Sequence, residues 1–470
     1  MKRPIALSLG LLFFVSLTAW AQDTATIVGA VMDSTGAVIP GAKVTVANSD
    51  KGFTRDLVAN AAGEYTAAKI PIGDYVITAE APGFQKLVRS GVTVTVGQTL
   101  RVDLQLTVGQ VTQEITVTGN ITRVETETGA ISDVVTGAQI QNLELNGRTF
   151  TALYTLVPGA VQSNDYDPTQ VGITGFASVS FNGNRMEYNN IEIDGGNNAD
   201  EGSGGVSINT FPSLDSIAEF RVSTSNFGAD MGKHAGASIE VVTKSGTKDF
   251  HGTLFEFLRN DKVDANDWFI NRSPWSGLDP SNCKQDPAVA GAGADCNAPK
   301  TPLKRDEFGY NLGGPFYIPG HYNTDKTKTF FFWSESWRRF REGTVVGPVG
   351  VPTRRMRQGD FSECDEMSAL YNPLVASNCT LPIDPDTGQP FPGNVVPIDP
   401  NARALLDAYV PLPNNGVQSY IAAPTQPTNW REEQIRVDQN IGEKTRVFVR
   451  DTNDAWQQTV VPSLWTGSSY

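Results

Sequence analysis

The first region with a clear pattern, residues 25–107, consists of short runs in which every second residue is apolar. KVTVAN at Lys43–Asn48 and RVDLQL at Arg101–Leu106 show this alternation, and Gly, Pro and Asp separate the runs. A period of two is typical of strands with one buried and one solvated face. About seven such strands within roughly 80 residues predict a small β-sandwich.

The next region, residues 130–245, mixes helical and strand patterns. A short helix is predicted within Thr136–Ala160, before a turn at Pro158 and Gly159, and two strands around a turn are predicted within Ser178–Glu201. Two further strands are predicted at Glu219–Ser225 and Ala237–Ser245, where β-branched and aromatic residues concentrate. This combination predicts an α+β domain.

Residues 246–470 contain aromatic strand patterns between long segments rich in Pro, Gly and Asn, and the clearest pattern is a hairpin around Ile441–Lys444. One face of this hairpin would carry four aliphatic side chains, those of Ile435, Val437, Val447 and Val449. The other face would carry charged side chains, those of Arg436, Asp438, Arg446 and Arg450, with Phe448 as the exception. Such a sheet suits either a soluble sandwich or a membrane barrel with a polar lumen.

Aromatic residues in one predicted strand favour the barrel. Phe330–Trp333 and Trp337 suit the girdles of Phe and Trp at membrane interfaces, whereas an ordinary β-core is the alternative. A plugged barrel of ~22 strands at ~10 residues each would use about 220 residues without any loops. We therefore expect only the first strands of a barrel, in the N-terminal part of a longer receptor or in a truncated product.

The N-terminus has the features of a secretory signal peptide. Lys2 and Arg3 precede an apolar run, Ile5–Trp20, and the small residues Ala19 and Ala21 follow the A-x-A pattern of a cleavage site. Cleavage after Ala21 is expected. A transmembrane anchor is the alternative, but the run is shorter than the ~18 apolar residues of a membrane span.

Charge and residue chemistry exclude several functions. The formal net charge of −14 argues against a nucleic-acid partner, which requires basic surfaces. No nucleophile–base pattern, phosphate-binding loop or cofactor motif is present, so we expect neither an enzyme nor a bound cofactor. In an exported protein the four cysteines predict two disulfides rather than a metal site, pairing Cys283 with Cys296 and Cys364 with Cys379.

Several blocks of sequence resemble known families. IVGAVMDSTGAVIPGAKVTV, residues 27–46, resembles the carboxypeptidase regulatory-like domain, a transthyretin-like sandwich. LNGRTFTALYTLVPGAV and IAEFRVSTSNFGADMGKHAGASIEVVTKSGT look like the plug domain of Oar-like TonB-dependent outer-membrane receptors, and FHGTLFEFLRND resembles the sequence that follows it. The expected fold class is mainly β, with a transthyretin-like β-sandwich, an α+β plug domain and the first strands of an incomplete transmembrane β-barrel.

The resemblance implies a domain order and partners. The expected parts are a signal peptide at 1–21, the sandwich at 22–107, a linker at 108–129, the plug at 130–245 and the barrel with its long loops at 246–470. The implied location is the outer membrane, with the N-terminal domain in the periplasm. The implied partners are the TonB–ExbB–ExbD complex, outer-membrane lipid, and an extracellular peptide, glycan or metal chelate.

Two sets of residues are candidates for the implied mechanism. By its position, the β-prone stretch Glu114, Ile115, Thr116, Val117 and Thr118 looks like a TonB box, and a plain linker strand is the alternative. Side chains that could hold the plug in the lumen are Arg148, Arg185, Asp194 and Glu219, although each could equally stabilise a turn or a strand end. A surface adhesion protein and, less favoured, a secreted carbohydrate-processing protein are the alternative functions.

Overall fold

The computed structural model describes residues 24–459, except 110–113, 119–124, 146, 163–177, 201–207, 229–230, 232–234, 266–301, 344–345, 378, 414–416, 423–424 and 443–444. The predicted signal peptide and the predicted disulfide between Cys283 and Cys296 lie outside the described residues.

Within the fully described range 24–106, eight strands build a sandwich. They are β1 (Thr24–Asp33), β2 (Lys43–Asn48), β3 (Phe53–Val58), β4 (Glu64–Pro71), β5 (Gly73–Glu80), β6 (Lys86–Val94), β7 (Thr99–Arg101) and β8 (Leu104–Leu106). One sheet has the order β4-β1-β7, with β8 also paired to β1, and the other contains β3-β2-β5-β6. Alternate residues, such as Val44 and Val46, are fully buried in one core between the sheets. The predicted β-sandwich is confirmed.

A ninth strand follows the sandwich in the chain. β9 (Glu114–Thr118) runs parallel to β6, with Lys86 opposite Glu114 and Ser90 opposite Thr118. It extends the second sheet to β3-β2-β5-β6-β9 and is its last strand in the described part of the chain. Ile115 packs against the sandwich core.

The middle domain combines short strands with a capped helix. Its elements are β10 (Ile131–Thr136), α1 (Gly137–Asn142), β11 (Ala160–Gln162), β12 (Val179–Phe181), β13 (Asn190–Ile193), β14 (Gly196–Asn197), β15 (Ile217–Ser225) and β16 (Ser238–Thr243). Its main sheet has the order β10-β15-β16-β13-β14, and β13 pairs with β16 in parallel. Thr136 and Gln139 form a capping box, which explains why α1 begins there. The predicted α+β character is confirmed.

Longer strands dominate the rest of the chain. They are β17 (His251–Asn260), β18 (Leu303–Pro315), β19 (Thr329–Gly343), β22 (Thr425–Ile441) and β23 (Thr445–Gln458); the short strands β20 (Val346–Gly350) and β21 (Ser419–Ala422) pair separately. In the described residues the long strands form an open sheet of order β17-β18-β19-β22-β23. The predicted hairpin is confirmed as β22 and β23.

Polarity on β22 and β23 is the reverse of that in a soluble sheet. Ile435, Val437, Val447 and Val449 are all exposed. Arg436 and Asp438, on the opposite face, are 3% and 0% exposed. Apolar residues outside and charged residues inside are the arrangement of a membrane barrel with a polar interior.

The aromatic residues of β19 divide between its two faces. Trp333 is 37% exposed, whereas Phe330 and Phe332 are fully buried. The prediction that all of Phe330–Trp333 belong to an interfacial girdle is therefore wrong for Phe330 and Phe332, because successive residues of a strand point to opposite faces.

The described chain divides into two compact units. The first contains the described residues of 1–255, 309–336 and 432–455, and the second contains those of 256–308, 337–431 and 456–470. The second includes the helices α2 (Pro373–Ala376) and α3 (Pro400–Tyr409) and the disulfide between Cys364 and Cys379. None of the described helices has the length and apolar character needed to cross a bilayer.

Candidate functional site

Asp194 lies in the turn after β13, in a left-handed backbone conformation. Its φ is 49°, and Gly195 follows with a φ of 76°. Aspartate tolerates this region better than most residues with a Cβ atom. The backbone N–H of Asp194 donates to the Val241 carbonyl at 2.9 Å, which ties the turn to β16.

Thr243, the last residue of β16, donates to both carboxylate oxygens of Asp194. Its backbone N–H lies 2.8 Å from Oδ1 and its hydroxyl lies 2.7 Å from Oδ2. The Asp194 side chain is only 1% exposed. These hydrogen bonds reduce the free-energy cost of burying the carboxylate.

Two arginines from the long strands pair with this buried carboxylate. Nη1 of Arg436, on β22, lies 3.0 Å from Oδ1 of Asp194, and Nε of Arg450, on β23, lies 3.0 Å from Oδ2. Arg450 also donates to the Ile193 carbonyl at 3.3 Å. The turn of the middle domain is thus joined to the inward faces of two long strands.

A second buried carboxylate extends this arrangement. Asp438 accepts from Nε of Arg436 at 3.1 Å and from Nη2 of Arg446 at 2.8 Å. The Arg436 guanidinium carbon lies 4.4 Å from the centroid of the Phe448 ring, so the one aromatic residue on the charged face is a cation–π partner. We call Asp194, Arg436, Asp438, Arg446 and Arg450 the Asp194 cluster.

The cluster consists of three guanidinium groups and two carboxylates. Charges this deeply buried are tolerated only when they are paired and hydrogen-bonded, because their desolvation is costly. Such a network adds little net stability, but removing one member leaves the others uncompensated. The network therefore fixes the position of the turn after β13 relative to β22 and β23.

Two further contacts join the middle domain to the long strands. Nδ2 of Asn311, on β18, donates to the Asp215 carbonyl at 3.4 Å, while the Asp215 side chain pairs within the middle domain with Nη2 of Arg148 at 2.7 Å. The backbone N–H of Ser213 donates to Oε1 of Glu432 at 3.0 Å, and Glu432 is 1% exposed. The 213–215 turn is therefore held by polar groups on β18 and β22.

The four residues predicted to hold the middle domain lie in different places. Asp194 belongs to the Asp194 cluster, and Arg148 pairs with Asp215. Glu219 accepts from the backbone N–H of Val96 at 2.5 Å, so this contact is with the sandwich. Arg185 is exposed at the start of a short 3-10 turn, where its carbonyl accepts from the Tyr188 N–H.

Sequence reasoning did not assign Arg436, Arg450 or Asp215 to this site. The alternation of β22 and β23 placed both arginines on a charged face, which was the available signal. No local signal distinguishes Asp215, because an acidic residue in the first turn of a short helix is ordinary.

A cavity of about 430 Å³ adjoins the Asp194 cluster. Its walls come from the sandwich, from the end of β16 and from the β22–β23 hairpin. The basic residues of its lining are Lys51, Arg55, Lys69, Arg436 and Arg446. In the described part of the chain, no group of three or more His, Cys, Asp or Glu side chains is arranged to hold a metal ion.

Family comparisons define the class of protein. Residues 26–107 match the family described as "Carboxypeptidase regulatory-like domain", and residues 242–469 match the family described as "Outer membrane beta barrel domain". The chain is mainly β, and it combines a regulatory-like sandwich region with a region that is similar to outer-membrane β-barrel domains.

Individual relatives narrow this class. The chain is 28% identical over 262 residues to the "TonB-dependent transporter Oar" of Myxococcus xanthus, covering 53% of this chain and 23% of that protein. The chain is thus similar to this transporter over about half of its own length, and the match spans about a quarter of the length of that relative.

Solved structures with partial similarity include a variant of the ferric enterobactin receptor of Pseudomonas aeruginosa. It has a TM-score of 0.35 and 10% identity, covering 70% of this chain and 33% of that one. The Bacillus anthracis TIE protein has a TM-score of 0.17 and 21% identity, covering 18% of this chain and 17% of that one.

Proposed function

We propose that the protein is a TonB-dependent outer-membrane receptor that takes up an extracellular ligand. In this proposal residues 130–245 are the plug, and the long strands belong to the barrel wall around it. The observation that carries the proposal is the Asp194 cluster, which joins the middle domain to the inward faces of β22 and β23, while the outward faces of these strands expose Ile435, Val437, Val447 and Val449. A relative named as a transporter favours this function over an adhesion protein.

The chemistry of the cluster suits a gate that is closed at rest. Ion pairs between a plug and a wall hold the plug in one position, and water entering a widened lumen can solvate the separated charges. The energy-transducing partner would pull on Glu114–Thr118 and move the plug. The ligand is an extracellular solute whose chemistry the described residues do not specify.

Strand addition through Glu114–Thr118 can be tested directly. Val117→Pro removes a backbone donor and restricts φ, so we expect it to weaken binding of the purified periplasmic domain of TonB by about tenfold or more. Binding is measured by calorimetry with the detergent-solubilised chain.

Val58→Pro is the matched control, because Val58 is an exposed valine at the other edge of the same sheet. It should bind TonB as the unmodified chain does. Equal binding by the Val117→Pro and Val58→Pro proteins would rule out coupling through this segment.

A further inference from the structure

The candidate TonB-contact segment is the edge strand of the sandwich rather than an isolated linker. Five consecutive residues of β9 pair with Lys86–Ser90 in one parallel register, without a shift. The Ile115 side chain packs against the sandwich core, while Thr116 and Val117 are exposed. One edge of the β9 backbone is bonded to β6, and the other faces away from the sheet.

In the described part of the chain, this edge carries few of the devices that usually prevent strand pairing. Natural edge strands are protected by Lys, Pro, bulges or charged side chains. Glu114–Thr118 has neither Lys nor Pro, its register is regular, and its one charged residue, Glu114, is at the end of the strand. At the opposite edge, β3 carries Arg55 and Asp56, and Asp56 pairs with Lys43 at 3.1 Å. The two edges of the sheet therefore differ in their readiness to accept another strand.

A strand held by the sandwich has already lost most of its backbone freedom. A peptide that binds by β-strand addition otherwise loses that conformational entropy on binding, which weakens its affinity. Pairing with β6 therefore prepares Glu114–Thr118 for a partner strand.

We propose that the sandwich presents Glu114–Thr118 as a preformed edge strand, and that the energy-transducing partner adds an extended strand to its outer edge while β6 stays bound. This inference rests on the proposed function and states which form of the segment the partner recognises. The sandwich then has a mechanical role, because a force applied to β9 is transmitted to the whole sandwich.

Contacts between the sandwich and the middle domain would transmit such a pull. The Val96 N–H donates to the Glu219 carboxylate at 2.5 Å, and Ile72 and Val96 pack with Val242. Glu127 pairs with Arg101 of the sandwich at 3.4 Å, and Glu125 pairs with Arg221 of β15. Movement of the sandwich therefore displaces both the linker and the middle sheet.

A disulfide between β6 and β9 tests whether β9 stays bound to β6 or must leave it when TonB binds. Val88 and Thr116 are directly opposite in the register, Thr116 is exposed, and Val88 is half-buried. Adjacent strands lie ~4.8 Å apart, within the Cα separation that a disulfide spans.

The Val88→Cys/Thr116→Cys chain, oxidised and then reduced, would be titrated with the purified periplasmic domain of TonB. The unmodified chain with and without the reductant is the control for the native cysteines.

If β9 stays bound to β6, the affinity of the oxidised chain for TonB should lie within about threefold of the affinity of the reduced form. Loss of binding by about tenfold or more on oxidation, restored by reduction, would mean that β9 must leave β6 and would overturn the inference.

Hydrogen exchange of the unmodified chain supplies a second measurement if the disulfide does not form. The amides of Leu87–Ser90 should stay protected when TonB is bound, and their deprotection on binding would also overturn the inference. Failure of the proposed function gives a different result, because the unmodified chain would then not bind TonB at all.

Discussion

At the scale of single residues, Asp194 is where the polar contacts between the middle domain and the long strands converge. Its carboxylate accepts two hydrogen bonds from Thr243 and pairs with Arg436 and Arg450, while almost no part of the side chain reaches solvent. The buried arginines depend on this carboxylate for compensation of their charge. Asp194 therefore governs the geometry between β13 and the β22–β23 hairpin.

Asp194→Ala should lower the free energy of unfolding by about 3–5 kcal/mol, because it removes one of the two carboxylates that compensate the three arginines of the cluster. Urea unfolding of the detergent-solubilised chain, followed by tryptophan fluorescence, measures the change. Arg185→Ala removes a charge from an exposed turn of the same domain and should change the unfolding free energy by less than about 0.5 kcal/mol. Similar losses in both variants would contradict the structural role given to Asp194.

At the scale of elements, the connection between β16 and β17 is where the chain leaves the middle domain and begins the long strands. Gly246 lies in this connection, and a Cβ atom there would lie 2.3 Å from the Phe331 carbonyl oxygen and 2.6 Å from that of Gly314. Both obstacles are backbone atoms of neighbouring strands, so they cannot rotate away. The connection fits only because residue 246 has no side chain.

Gly246→Ala should destabilise the protein by about 1–3 kcal/mol through overpacking against β18 and β19. The shift of the urea midpoint at unchanged slope measures this loss. Gly129→Ala is the control, since a Cβ atom there meets nothing within 4 Å. If the two substitutions had equal effects, the close approach at Gly246 would not limit stability.

At the scale of the whole molecule, the sheet that β22 and β23 complete exposes an aliphatic group on its outer face, Ile435, Val437, Val447 and Val449, and buries charged side chains on its inner face. Val449 is 67% exposed and lies between Val447 and Asp451 on the outward face of β23. In water an exposed valine tolerates substitution, whereas in a bilayer the same position excludes charge. The free-energy cost of a charged side chain at position 449 is therefore higher if the residue faces lipid than if it faces water.

Val449→Arg should disfavour the membrane-inserted form by about 2–4 kcal/mol if the residue lies near the bilayer midplane. The measurement is the amount of protein in the outer-membrane fraction when the receptor is expressed from its own gene. Thr445→Arg, on the same face beside the hairpin turn, is the control and should cost only about 0–1 kcal/mol near an interface. Unchanged amounts of the Val449→Arg protein would argue for a soluble sheet.

Structural features that depend only on neighbouring residues were predicted well from the sequence. The sandwich, the presence of a short helix after Thr136 and the two faces of the β22–β23 hairpin follow from the pattern of neighbouring residues. The aromatic run in β19 was predicted less well, because Phe330 and Phe332 face inward. The pairing of Cys283 with Cys296 stays a prediction, as do the domain boundaries and the TonB-contact role of Glu114–Thr118.

By itself, the sequence determined the strands, their polar and apolar faces and the family resemblance, because these depend on neighbouring residues. Only the tertiary structure decided that Asp194 pairs with Arg436, 242 positions away, and that Glu219 contacts the sandwich. Only the tertiary structure shows that Glu114–Thr118 pairs with β6. The physical reason is that such pairings depend on which buried surfaces the packed domains bring together, and no local pattern in the chain encodes that choice.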